Sequence, residues 1–259
     1  MLITLTTDFG LDDAFVGIMK GVIARIAPQA KVIDLTHGIP SQDIMAGALS
    51  LRHSVAYFPP GTIHVAVIDP GVGSARRSLL IESNDAYFIG PDNGVLSLAV
   101  GESPNLVIEL ANTEYQLQPT SGTFHGRDIF APAAAHLSRG VSPAAFGENL
   151  RSFAKLTPPK VVRTQNSLSG AVIYIDKFGN LFTNIEQRDL TGFTGQTLNV
   201  VLGDLTIPGI AENYARATAG EIVAVVNSWG LLEIAANQGN AANRTGAKVG
   251  DNVNIIFQN

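Results

Sequence analysis

The first third of the chain alternates in a way that leaves few folds open. Three short apolar, β-branched runs, Leu2–Thr7, Lys31–Leu35 and Thr62–Ile68, are separated by two stretches of helical spacing. In the first stretch Phe15, Ile18, Met19, Val22, Ile23 and Ile26 recur every three or four residues, which predicts one buried stripe, and Pro28 closes it. The second runs from about Asp43 to Val55, after His37-Gly38-Ile39-Pro40 and before the turn Pro59-Pro60-Gly61. Parallel strands need long crossovers, and helices that supply them cover the sheet. Strand, helix, strand, helix, strand therefore implies a largely parallel sheet covered on both faces. Beyond Arg77, Leu79–Glu82 and Ala86–Gly90 predict a hairpin, and Arg127–Leu137 a last helix.

Thr157-Pro158-Pro159 breaks this pattern. From Gly170 onward the segments are short strands (Ala171–Ile175, Leu198–Val201, Ile222–Val226, Leu232–Ala235 and Val253–Phe257) between Gly, Asn and Asp turns. That spacing is typical of a barrel or sandwich. The expected architecture is an α/β N-terminal domain over residues 1–163, followed by a small all-β, barrel-like domain over residues 164–259. A chain of 259 residues is long enough to give each its own core.

Composition removes several functions. The net charge is -5, and Arg76-Arg77 is the only paired basic site, so no face is available to track nucleic-acid phosphates. There is no cysteine. That excludes disulfides, thiolate nucleophiles and cysteine-held zinc or iron–sulfur centres, and it fits a cytoplasmic protein. The opening MLITLTTDFG lacks a basic leader, and no uncharged apolar run approaches the roughly 18–20 residues of a membrane span. Neither a nucleic-acid nor a membrane partner is expected.

Ligands of parallel sheets collect beyond the carboxyl ends of the strands. Two of the three runs end there in acid and glycine, Thr7-Asp8-Phe9-Gly10 and Asp69-Pro70-Gly71-Val72-Gly73, and the third ends in Asp34-Leu35-Thr36-His37-Gly38. Any one of them is an ordinary turn; three on one sheet edge suggest a site. The Asp69 loop also carries Arg76, so a carboxylate and a guanidinium share one segment. Thr123-Phe124-His125-Gly126-Arg127-Asp128 sets a histidine in a glycine-adjacent turn before a helix. In the second half, Asp176-Lys177-Phe178-Gly179-Asn180-Leu181-Phe182-Thr183-Asn184 reads either as a hairpin loop or as a nucleobase site with a stacking face and an amide. Asn227-Ser228-Trp229-Gly230, with Glu233 beyond, adds a hydroxyl, the sole tryptophan and another acid.

TDFG with DDAFVG, the DPGVG…R loop, FHGRD, D-x-FGN-x-x-TN and NSWG-x-x-EIA occur in this order over nearly the whole chain. Together they resemble the S-adenosyl-L-methionine hydroxide adenosyltransferases, relatives of the fluorinase and chlorinase enzymes. The resemblance implies a homotrimer whose ligand lies between one subunit's N-domain and a neighbour's C-domain. It implies that Asp69, Arg76 and His125 handle water and that Asp8 holds the ribose hydroxyls. Asn180 and the backbone at Ala236 would read adenine. Ser228 and Glu233 match the methionine end, with Asp176 near the ammonium, while Phe178, Tyr214 and Trp229 are further substrate-binding candidates. No cofactor or metal is implied, S-adenosyl-L-methionine being the substrate.

The halogenases resemble this sequence but carry an aromatic residue in place of Asp69, a small hydroxylic residue in place of Arg76 and no histidine at 125. Those three departures favour water over halide. The implied reaction is hydrolysis of S-adenosyl-L-methionine to adenosine and L-methionine, with Asp69 and His125 accepting or relaying the proton and Arg76 fixing the water. Two alternatives share part of the pattern. Thr7-Asp8-Phe9-Gly10-Leu11-Asp12-Asp13-Ala14 is similar to the metal loop of calcium-dependent nucleoside hydrolases, although Thr6 stands where that loop has its first acid. A pocket of this kind also suits a non-catalytic adenosyl sensor.

Overall fold

β1 (Leu2–Thr7) is buried along almost its whole length, with parallel neighbours on both sides, β2 (Lys31–Thr36) and β3 (Ile63–Val67). The crossovers are α1 (Phe15–Ile26) and α2 (Ile44–Ser54), and the Asp43 side chain caps α2 by accepting from the Ala46 amide at 2.9 Å. β4 (Ser78–Ser83) and β5 (Ala86–Pro91) form the expected hairpin, with β5 also parallel to β3. After the short helix α3 (Ser97–Val100), β6 (Leu106–Glu109) adds an antiparallel edge, giving the order β2-β1-β3-β5-β4-β6. The sheet is mixed and mostly parallel, as the alternation implied.

The structure, a computed structural model, describes residues 1–191 and 197–258. They divide into two units, Met1–Leu156 and Thr157–Asn259. Among the described residues no helix is long and apolar enough to cross a membrane.

The stripe on α1 is only partly buried. Met19 and Ile23 join the core, whereas Phe15 and Ile18 remain 45% and 40% exposed. Phe15 instead packs its ring edge-on against Phe124 at 5.2 Å and tilted on Phe9 at 5.8 Å, close to the loops at the strand ends. The expected helix at Arg127–Leu137 opens as a π-helical turn, Gly126–Phe130, before the regular α4 (Ala131–Ser138). Such turns are common beside functional sites.

The paired strands of the second unit are all antiparallel. β7 (Val162–Arg163), β8 (Ser167–Ile175) and β9 (Leu181–Glu186) come first, then β10 (Thr197–Leu202) and β11 (Leu205–Pro208). β12 (Ile222–Val226), β13 (Leu231–Ala236), the short helix α5 (Ala241–Thr245) and β14 (Asn252–Gln258) complete it. The strand order is β11-β10-β14-β8-β9-β13-β12, with β7 beside β8. The long β8 pairs with β14 over its first half and with β9 over its second. At the changeover a Cβ on Gly170 would lie 2.4 Å from Asn184 Oδ1, so only glycine lets the strands approach there. Ala211, just past β11, donates its amide to Ala224 O at 2.8 Å and bridges to β12, which nearly closes the barrel. Its core is Leu168, Val172, Leu181, Val200, Leu232 and Val253, with their neighbours.

Candidate active site

The carboxyl ends of β1 and β3 deliver Asp8 and Asp69 to the same rim. A cavity of about 350 Å³ opens there, lined by both acids and by Gln42, Phe124 and His125. Asp8 Oδ2 accepts the Gln42 amide at 2.8 Å, and Gln42 holds the left-handed φ of 66° that aims this N–H. A non-glycine residue in that region is strained backbone, often found at functional sites.

Asp69, Arg76 and His125 meet in one half-buried cluster. Arg76 Nε donates to Asp69 Oδ1 at 2.9 Å while Nη2 donates to Asp69 Oδ2, a two-point fork. Nη2 also donates to His125 Nδ1 at 2.7 Å. The Asp69 and Arg76 side chains are only 5% and 9% exposed, so the pair sits largely out of water, where removing either partner is strongly destabilising. Burial, and then the adjacent Arg76 cation, pull the His125 imidazole below its ordinary value of 6.5, with Asp69 and Asp128 opposing. His125 is therefore neutral at neutral pH.

The histidine loop is pinned from below by Asp128, which is 1% exposed. It accepts from Arg127 Nε at 2.6 Å and from the Ser121 amide at 2.8 Å. Burial alone would raise the Asp128 pKa, but these donors hold it below the usual value.

In the second unit a cavity of about 740 Å³ is lined by Asp176, Phe178, Asn180, Tyr214, Ser228, Glu233 and Ala236, among others. Phe178 is 65% exposed, leaving its ring available for stacking. Asp176 turns onto its own loop: Oδ1 accepts the Phe178 and Asn180 amides at 2.9 Å each, and Oδ2 accepts Asn180 Nδ2 at 3.1 Å. That leaves the Asn180 side-chain Oδ1 to accept from a ligand amine. The loop ends at Asn180, and Leu181–Asn184, expected within it, belong to β9. Glu233 is 1% exposed and its oxygens accept from Tyr214 OH at 2.8 Å and Asn227 Nδ2 at 3.0 Å. Burial pushes its carboxyl up, against those two donors. Trp229 does not line the cavity; its ring packs edge-on at 4.9 Å against Phe182, which does.

The loop motifs disclosed the acids, the histidine and the amides, but not their supports. Gln42, which holds Asp8, lies outside those motifs, and Asn227, which holds Glu233, lies within one whose sequence does not show that contact. Among the described residues, no group of three His, Cys, Asp or Glu side chains is placed to hold a metal ion.

The SAM hydroxide adenosyltransferase N-terminal domain model matches residues 3–147, and its C-terminal counterpart matches residues 170–254. The chain belongs to this family. The (R)-S-adenosyl-L-methionine hydrolase of Salinispora arenicola is 37% identical, covering 98% of this chain and 97% of that protein. A fluorinase from an Actinoplanes species is 28% identical over 98% of this chain and 97% of its own. The crystal structure of an uncharacterized conserved protein from Thermotoga maritima superposes with a TM-score of 0.91 at 35% identity, covering 99% of this chain and all of the other. Hydroxide adenosyltransferases thus share both units of this chain, and the matched segments contain every candidate residue named above.

Proposed function

We propose that the chain hydrolyses S-adenosyl-L-methionine to adenosine and L-methionine, with water as the nucleophile and no metal or cofactor. Relatives 35–37% identical over nearly the full chain carry the name of that hydrolase. The observation that carries the reading is the Asp69–Arg76–His125 cluster at the strand ends, since a carboxylate there would repel a halide but accepts a proton from water. The sulfonium is already activated, and methionine leaves as a neutral thioether, so no general acid is needed. The protein must align water with the carbon–sulfur bond and take up its proton. Asp8 suits the ribose hydroxyls; Asn180, Phe178 and the Ala236 backbone suit adenine; Ser228, Tyr214 and Glu233 suit the methionine end.

Incubation with S-adenosyl-L-methionine, followed by chromatography, is expected to show adenosine and methionine in equal amounts, undiminished by EDTA. Tight binding with the ligand unchanged would indicate a sensor instead, and loss of activity in EDTA would indicate a metal-dependent hydrolase.

The proposed assembly is a homotrimer with sites shared between subunits. The resemblance supports this reading; the water-handling residues line a cavity of the first unit and the base-reading residues a cavity of the second. Mixing and refolding Asp69→Asn with Asn180→Ala is therefore expected to restore activity that neither variant has alone. No recovery would contradict shared sites.

The reaction should also fail in acid. Protonation of His125 places a proton on the Nδ1 that accepts from Arg76, and two cations then face each other. Because its pKa is lowered, the neutral form persists down to pH values below 6.5 and activity falls only beneath that. A pH–rate profile of His125→Gln should lack this acid limb.

A further inference from the structure

We propose that Arg76 is a positioning residue, locked by Ser78 and Phe130, and that the nucleophilic water is held by Asp69 and the Nε2–H of His125; this rests on the hydrolase reading above. A guanidinium has five N–H bonds and no acceptor. Here all five have protein partners. Nε and Nη2 donate to the two oxygens of Asp69, and the second Nη2 proton goes to His125 Nδ1. Nη1 donates to Ser78 Oγ at 2.9 Å and to the Arg77 carbonyl at 3.3 Å. The guanidinium carbon also stands 5.4 Å from the centroid of the fully buried Phe130 ring, which fixes its plane. Arg76 does not line the cavity that Asp69 and His125 line. It has no N–H left to give to water or hydroxide.

Saturation of Arg76 decides the state of its neighbours. Arginine can only donate, so His125 Nδ1 accepts and the ring carries its proton on Nε2. Among the described residues Nε2 has no protein acceptor, which leaves that N–H to donate to the water oxygen. A ring so held cannot accept the proton of water without losing its bond to Arg76. Asp69, with further lone pairs on both oxygens, is the acceptor. In the step, the water oxygen bonds to the 5′ carbon, the carbon–sulfur bond breaks with its electron pair going to sulfur, and the water proton passes to Asp69 and then to solvent.

Ser78 sits at the start of β4 and Phe130 at the end of the π turn, so they grip the guanidinium from two elements. Ser78→Ala should lower kcat about tenfold, with KM and adenosine affinity unchanged, because loosened alignment affects the transition state. Ser78→Thr, which keeps the hydroxyl acceptor, should restore most of it. His125→Gln, whose amide can still donate from the Nε2 position, should turn over at least about tenfold faster than His125→Ala, as expected for a lost donor rather than a lost base. Nitrogen-15 spectra of the wild-type imidazoles should show His125 as the Nε2–H tautomer at neutral pH. Wild-type kcat in Ser78→Ala, equal rates for the two His125 variants, or an Nδ1–H tautomer would each overturn the proposal. A wild-type enzyme that releases no adenosine would sink the hydrolase reading, while the tautomer would still decide whether Arg76 is saturated.

Discussion

Asp69→Asn is expected to lower kcat by about a thousandfold or more, equivalent to about 4 kcal/mol of transition-state stabilisation. Adenosine binding should stay within a few-fold of wild type. The change preserves size and removes two things at once. The amide cannot take a proton from water, and only one of its atoms can accept from the Arg76 fork, which uses both carboxylate oxygens. Arg76 then has a free N–H in a site where it was saturated, and His125 loses a partner that opposes the lowering of its pKa. Single-turnover kinetics with calorimetric binding of adenosine separates the two effects. A variant with near-normal turnover would remove Asp69 from the mechanism.

Gly73→Ala is expected to reduce turnover about a hundredfold without unfolding the chain. Gly73 has a φ of 77°, and a Cβ there would lie 2.2 Å from the Gly122 carbonyl oxygen. The left-handed backbone alone disfavours alanine by about 1–2 kcal/mol. The overlap is with backbone, so the Asp69 loop and the loop carrying His125 must part by about 1 Å to relieve it, and misplacement on that scale costs about 10²-fold in rate. The Arg76–His125 bond, 2.7 Å long, spans these same two loops and would be stretched out of hydrogen-bond range. Circular dichroism should be unchanged while kcat falls. An active Gly73→Ala variant would show that the loops need not touch.

The alternation of strands and helices was legible because buried parallel strands carry largely apolar runs, as at Ile63–Val67, where only His64 interrupts. The short strands at Leu106–Glu109 and Leu205–Pro208 were not, because four residues are too few for a period to show. In the site, acids and glycines at strand ends stood out through their chemistry. What they touch did not. Asp176 lines a cavity, and the sequence does not show that its oxygens also hold the amides of its own turn. Ser78 reads as the first residue of a strand and Phe130 as core, and only folding brings them to Arg76. Likewise Gly73 announces a turn, but not the distant carbonyl that excludes a side chain.

Water is expected to attack the 5′ carbon of the adenosyl group. Turnover of S-adenosyl-L-methionine in water enriched in oxygen-18 tests it directly. One heavy oxygen per adenosine is expected, located in the 5′ hydroxyl, with unlabelled methionine. Label at the ribose 1′ position with release of adenine, or adenosine without label, would contradict it.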